Sequence, residues 1–216
     1  MEEKTRLEDL DKVEEEEKCE MDAHGEVIGG ETEAEEKDQR KNRLKEFLSY
    51  LIPIALAVIL ANLLNNYVII NARIPSGSME NTIQIGDRLI GYRLAYKNSD
   101  PQRGDIIMFT NPDDDSEILI KRIIGMPGEV VDIVDGVVYI DGEVLEEDYL
   151  KEDWVDRTGP YHYEVPEDCY FVMGDNRNNS ADARVWTNTY VTRDSILGKA
   201  VFRYYPFSSF GSLKED

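Results

Sequence analysis

Glu129-Val130-Val131-Asp132-Ile133-Val134-Asp135-Gly136-Val137-Val138-Tyr139-Ile140-Asp141-Gly142-Glu143-Val144 is the stretch that decides the fold. Its β-branched and aromatic residues fall in short runs, and two Asp-Gly pairs separate the runs. Asp-Gly between apolar alternating segments is the strongest local hairpin signal, because both central positions of a type I′ turn need positive φ. Residues 129–134, 137–140 and 143 onward therefore read as an antiparallel meander. Moving outward, residues 104–110, 117–124, 169–173 and 196–204 are further short runs with strand composition. No long amphipathic helical pattern follows residue 72, so the spacing predicts an all-β domain of antiparallel sheets rather than a βαβ sheet.

Upstream the character changes. Residues 47–71 carry no charge, and residues 47–61 are almost wholly apolar. A helix of about 20 residues at roughly 1.5 Å each crosses a hydrocarbon core of about 30 Å, so this segment is expected to be one transmembrane α-helix over residues 47–70. A buried core helix passes the same test, and Asn62, Asn65 and Asn66 make the far end polar. A cleaved signal peptide fits poorly, because the region before the segment is long and acidic. Arg40, Lys41, Arg43 and Lys45 crowd the near flank, whereas Arg73 alone follows the far one. By the positive-inside rule the tail is expected in the cytoplasm, and residues 72–216 outside a single-pass plasma-membrane anchor.

Residues 1–46 hold 18 acidic and 9 basic residues and no aromatic one. Such a composition cannot bury enough apolar surface to offset the entropy of ordering, so a disordered acidic tail is expected there. The chain of 216 residues carries a formal charge of −21 and has no basic stripe, which argues against nucleic acid as a partner. Cys19 and Cys169 flank the apolar segment on opposite sides and would not pair across a bilayer.

The chemistry of the β domain narrows by elimination. His162 is its only histidine. That excludes a histidine-rich metal site, and no metal or cofactor is expected. Cys169 stands in an apolar run, where a small hydrophobe is the simpler reading than a nucleophile. A serine then needs another base, and lysine serves only when desolvation lowers its pKa from about 10.4. Strand alternation puts Lys121 on one face with Leu119 and Ile123, and Arg122 on the other with Ile120 and Ile124. Either face can be the buried one. Arginine stays charged, so Lys121 is the member of the pair able to act as a general base. Ser78, in Pro75-Ser76-Gly77-Ser78-Met79, sits in a segment suited to a tight turn that presents a hydroxyl.

Four boxes then stand in order: Pro75-Ser76-Gly77-Ser78-Met79; Arg103-Gly104-Asp105-Ile106; Lys121-Arg122-Ile123-Ile124-Gly125-Met126-Pro127-Gly128; and Gly174-Asp175-Asn176-Arg177-Asn178-Asn179-Ser180-Ala181-Asp182-Ala183-Arg184. Together they resemble the boxes of the bacterial type I signal peptidases, from the apolar segment to about Tyr205. The resemblance implies a membrane-bound serine endopeptidase that uses a Ser-Lys dyad and an acyl-enzyme to cut signal sequences from exported preproteins at the lipid bilayer. It implies Ser78 as nucleophile and Lys121 as general base, with Ser76 and the Ser78 N–H on the oxyanion. Ser180 would hold the lysine by a hydrogen bond, while Asp175, Asp182 and Arg184 would support the site, the last two as an ion pair. Ile74, Met79 and Ile120 would line shallow substrate pockets. Asn81 stands where that family commonly has proline, and Ala183 replaces a frequent serine. Two rival readings remain from the residues, a catalytically idle membrane-anchored binding module and a repressor-type Ser-Lys autoprotease. The first predicts loss of Ser78 or Lys121, and the second an amino-terminal helix-turn-helix.

Overall fold

The computed structural model describes residues 37–155 and 159–213, and the chain divides into two compact units, Met1–Leu60 and Ala61–Asp216. Of the tail expected over residues 1–46, residues 1–36 lie outside the described residues. Helix α1 runs Lys37–Tyr67, 31 residues whose apolar side chains, Leu51, Ile54, Leu56 and Ile59 among them, are exposed. Residues 37–46, expected in the tail, are thus helical. Lys, Arg, Gln and Glu are good helix formers, and adding them to a helix already nucleated by the apolar stretch costs little. At its other end α1 stops short of the expected residue 70. Its last turn closes with the Val68 N–H on the Leu64 carbonyl, and Ile69–Arg73 becomes strand β1. Ile69 and Ile70 are β-branched, and pairing with Tyr92 and Gly91 holds them extended.

In the second unit every described strand pair is antiparallel. One sheet has the spatial order β1, β2 (Arg88–Tyr92), β11 (Ile196–Tyr205), β3 (Ile106–Asn111), β4 (Asp114–Gly125), β9 (Cys169–Met173), β10 (Val191–Thr192), with β12 (Gly211–Ser212) on β11. The other runs β7 (Glu143–Val144), β6 (Val137–Ile140), β5 (Val130–Val134), β8 (Tyr161–Glu164). The all-β expectation holds, and the meander lies where the turn chemistry puts it. Val134 pairs with Val137 and Ile140 with Glu143, so each Asp-Gly is a two-residue loop. Asp135 and Gly136 have φ of 51° and 80°, and Asp141 and Gly142 have 50° and 87°, the left-handed values a type I′ turn requires. Strands β1, β2 and β8 are too short and too mixed in polarity to stand out in the sequence.

The core sits on both faces of the larger sheet. On β3, Ile106 and Met108 enter a cluster with Ile70, Ile74, Met79 and Leu89. Ile107 and Phe109 enter the opposite one with Ile123, Val172 and Val191. A third cluster joins Val131, Ile133, Val138 and Ile140 of the smaller sheet to Ile124, Phe171 and Met173 of the larger. Phe171 is fully buried there, with its ring centroid 4.5 Å from that of Tyr163. Phe171→Ala is expected to cost about 3–5 kcal/mol through lost transfer energy and the cavity left behind, seen as a lower urea midpoint of the detergent-solubilised chain.

Candidate active site

Strand β4 runs between β3 and β9 only over its second half, where Arg122 pairs with both Ile106 and Met173. There both of its faces are covered, and alternation no longer offers a choice: Lys121 is 3% exposed and Arg122 1% exposed. Two adjacent buried cations each need their own solution. Arg122 takes an anion. Its guanidinium donates to both oxygens of Asp175 at 2.9 and 2.8 Å and to the Gly104 carbonyl at 2.9 Å, and it lies 3.9 Å over the Tyr149 ring. The sequence names Asp175 but not its partner, because two residues 53 positions apart carry no local signal of their pairing.

Among the described residues, no carboxylate contacts Lys121. Its Nζ lies 2.9 Å from Ser78 Oγ and 3.1 Å from the Ile120 carbonyl. Burial pulls the Lys121 amine below its ordinary value of 10.5, and the charges of Asp182, Glu117 and Asp175 only partly oppose that shift. A buried amine of lowered pKa against a buried hydroxyl is an arrangement chemically able to accept that hydroxyl's proton. The two residues singled out on separate grounds in the sequence therefore meet.

The turn that carries Ser78 follows directly from β1, and the last of the four boxes fixes it. Asn176 donates its backbone N–H to the Ser78 carbonyl and its side-chain amide to the Gly77 carbonyl, both at 3.0 Å. A Cβ on Gly174 would lie 2.3 Å from the Ser78 carbonyl oxygen and 2.3 Å from Ser180 Oγ, so only glycine permits this approach. Asp182 accepts the Gly174 N–H at 3.0 Å and pairs with Arg184 through contacts of 2.7 and 2.8 Å. Burial pushes the Asp182 carboxyl up, but the Arg184 guanidinium and the Gly174 N–H outweigh it and hold the group below its usual range. The expected ion pair is thus present. Arg177, which the sequence reading does not single out, is buried in a pair with Glu147.

Ser180 differs from expectation. Its Oγ is buried, packed against Gly174 and beside the Asp182 carboxylate, while Lys121 Nζ is directed to Ser78 and Ile120. Ser76 is exposed and lines a groove of about 320 Å³ that ends at Ser78 and Lys121. Ile70, Ala72, Ile74, Met79, Ile118 and Ile120 supply its apolar wall, which includes all three pocket residues named from the sequence. Two strand edges open into it. β1 pairs only with β2, and the stretch of β4 before Arg122 pairs only with β3. A larger cavity, about 550 Å³, is lined by Thr110, Asn111 and residues 187–190, away from these groups. His162 lies on β8 with its Nδ1 2.6 Å from Asp132, and burial raises the Cys169 thiol, so neither competes with Lys121 and Ser78 for a catalytic role.

Comparison with known proteins places this geometry in context. The family described as signal peptidase, peptidase S26, matches residues 47–205. The chain is 43% identical over 166 residues to the probable signal peptidase I-2 of Synechocystis, covering 74% of each. It is 42% identical over 168 residues to the signal peptidase I of Leptolyngbya laminosa, covering 74% of this chain and 80% of that one. It is 30% identical over 183 residues to the signal peptidase IB of Staphylococcus aureus, covering 77% and 93%.

The two buried cations predict opposite effects on stability. Asp175→Asn leaves the Arg122 charge buried and unpaired, and is expected to cost about 3–5 kcal/mol, measured as a fall in urea midpoint. Lys121→Met removes a desolvated amine and is expected to raise the thermal midpoint at pH 7. Between the depressed Lys121 value and 10.5 the unfolded chain holds a proton that the folded one lacks, so parent stability rises with pH across that window. The advantage of the variant is therefore expected to shrink as pH approaches 10.5.

Proposed function

The chain belongs to the signal peptidase family, peptidase S26, whose members include signal peptidase I, and is a serine endopeptidase that removes signal peptides; on that premise we propose that Ser78 is its nucleophile and Lys121 its general base. The observation that carries the proposal is the 2.9 Å contact between Ser78 Oγ and a buried lysine amine. Neutral Lys121 takes the hydroxyl proton as Oγ bonds to the scissile carbonyl carbon, and the carbonyl oxygen becomes an oxyanion. The Ser78 N–H and the Ser76 hydroxyl stabilise that charge. When the tetrahedral species collapses, the C–N bond breaks and the Lys121 ammonium protonates the leaving amine, which leaves an ester on Ser78. Lys121 then takes a proton from water as the water oxygen attacks the ester, and the Ser78 C–O bond breaks with return of that proton to Oγ. Asp175 and the Asp182–Arg184 pair serve as scaffold. Ser180, buried against Gly174, is placed to bond Lys121 as the charge on the amine changes.

The substrate is the signal sequence of an exported preprotein, bound extended between the two open strand edges. Ile74, Met79 and Ile120 leave shallow space suited to small residues at the first and third positions before the cut. Helix α1, at roughly 1.5 Å per residue, exceeds the thickness of a hydrocarbon core of about 30 Å, which supports a single-pass anchor from Phe47 to Tyr67. The cluster Arg40, Lys41, Arg43 and Lys45 supports a cytoplasmic tail of residues 1–46 and an extracytoplasmic catalytic domain of residues 72–216 in the plasma membrane.

With the full chain in detergent and a preprotein ending its signal in Ala-X-Ala, Ser78→Ala and Lys121→Ala are each expected to lower kcat by about 10⁴-fold; cleavage that survives either substitution sinks the dyad. Because the base must be neutral, kcat/KM is expected to rise with pH through a group below 10.5. A profile flat on its acid side excludes Lys121 as that base.

A further inference from the structure

Asn81 lies three residues past the nucleophile and has a φ of 95°, a backbone conformation that proline cannot adopt and that asparagine tolerates better than most residues. Its side chain is exposed, yet its amide donates to two carbonyls of a distant segment, Tyr149 at 3.2 Å and Leu150 at 3.3 Å. That segment, residues 147–151, is tied to the catalytic scaffold at several other points. Tyr149 carries its ring under the Arg122 guanidinium, Glu147 holds Arg177, and the Lys151 N–H reaches the Asp175 carbonyl at 3.5 Å. Lys151 Nζ returns to Glu80 at 2.7 Å. Beside Asn81 a cavity of about 290 Å³ opens between the turn and the segment, lined by Asn81, Thr82, Asp148 and Tyr149 among others. The amide spans the gap.

We propose that Asn81 is a positioning residue for the cleavage reaction: its amide clasps residues 147–151 to the nucleophile turn and thereby fixes Ser78 Oγ against Lys121 Nζ. The turn has two ends. Asn176 pins the first, through the carbonyls of Gly77 and Ser78, and Thr82 Oγ1 anchors the chain beyond the second on Asp175 at 2.5 Å. Asn81 sits between them, in the position whose loosening would let Ser78 swing and let water reach the lysine. The proposal rests on the Ser78–Lys121 reading, and its test separates the two.

Full-length protein in detergent is compared as parent, Asn81→Gly, Asn81→Asp and Ser78→Ala, measuring kcat, KM, the pH profile and the thermal midpoint. Glycine accepts positive φ without strain and aspartate keeps the size, so both variants keep the backbone and lose the donor amide. Both are expected to lower kcat about tenfold with KM within about twofold, and Asn81→Gly is expected to melt no lower than the parent. The acid limb is expected to move to higher pH, because a wetter Lys121 returns toward its ordinary pKa. Parent kcat and an unshifted limb in Asn81→Gly overturn the clasp. So does a loss confined to KM, or one seen with aspartate and not with glycine, which would be an effect of charge. Cleavage by Ser78→Ala would instead overturn the dyad and leave the fold of the turn untouched.

Discussion

The structure depends on the burial of a lysine amine that is given no anion. A strand covered on both faces forces Lys121 and Arg122 out of water together, and the molecule resolves the two in opposite ways. Arg122 receives a carboxylate with both oxygens in reach, the arrangement that makes a buried guanidinium tolerable. Lys121 receives a hydroxyl and a backbone carbonyl, which satisfy hydrogen bonds without stabilising charge to the same degree. The nearest carboxylates act on it only through space. Moving Asp182 or Asp175 onto the amine would turn the pair into an ordinary buried salt bridge and remove its capacity to accept a proton. Arg184 and Arg122 hold those two carboxylates elsewhere, so burial is left to lower the Lys121 pKa with only partial opposition.

This division of labour explains why the fourth sequence box is dense in charge and yet leaves Asp175, Arg177, Asp182 and Arg184 in ion pairs. Its Asp175 and Asp182 are committed to guanidinium partners, and Arg177 is committed to Glu147. What the box contributes to the dyad is shape. Asn176 places the backbone of the turn that carries Ser78, and Gly174 lets that backbone approach within a distance that any side chain would forbid.

What was legible in the sequence follows the range of the interactions. Asp135-Gly136 and Asp141-Gly142 act on their own backbone, so the meander can be located to the residue. The Asp182–Arg184 pair spans two positions and is equally local. Ser78 and Lys121 lie 43 residues apart, and no spacing rule brings them together; the ordered boxes supplied by analogy what periodicity could not. Alternation offers one buried face per strand, and β4 defeats it because tertiary packing covers both. The end of α1 was misplaced for a related reason, since residues 69 and 70 are apolar enough for a span and only their partners on β2 make them strand. Asn81 reads in sequence as a missing proline, and its role emerges only once residues 147–151 are placed beside it.

The two open strand edges around the groove carry a consequence for the protein's behaviour in company. An unpaired edge offers backbone donors and acceptors to any extended chain, including another copy of itself, and natural sheets commonly blunt such edges with charge. Here Arg73 closes β1, and Asp114, Asp115 and Glu117 occupy the exposed start of β4, so the approaches are guarded by residues of opposite sign on opposite rims. An apolar, extended segment with little charge can enter between them, whereas the same edge of a second molecule, β1 on β1 or β4 on β4, would bring like charges together. The charged rims thus disfavour the pairing of like edges between copies while leaving the groove open to an uncharged strand.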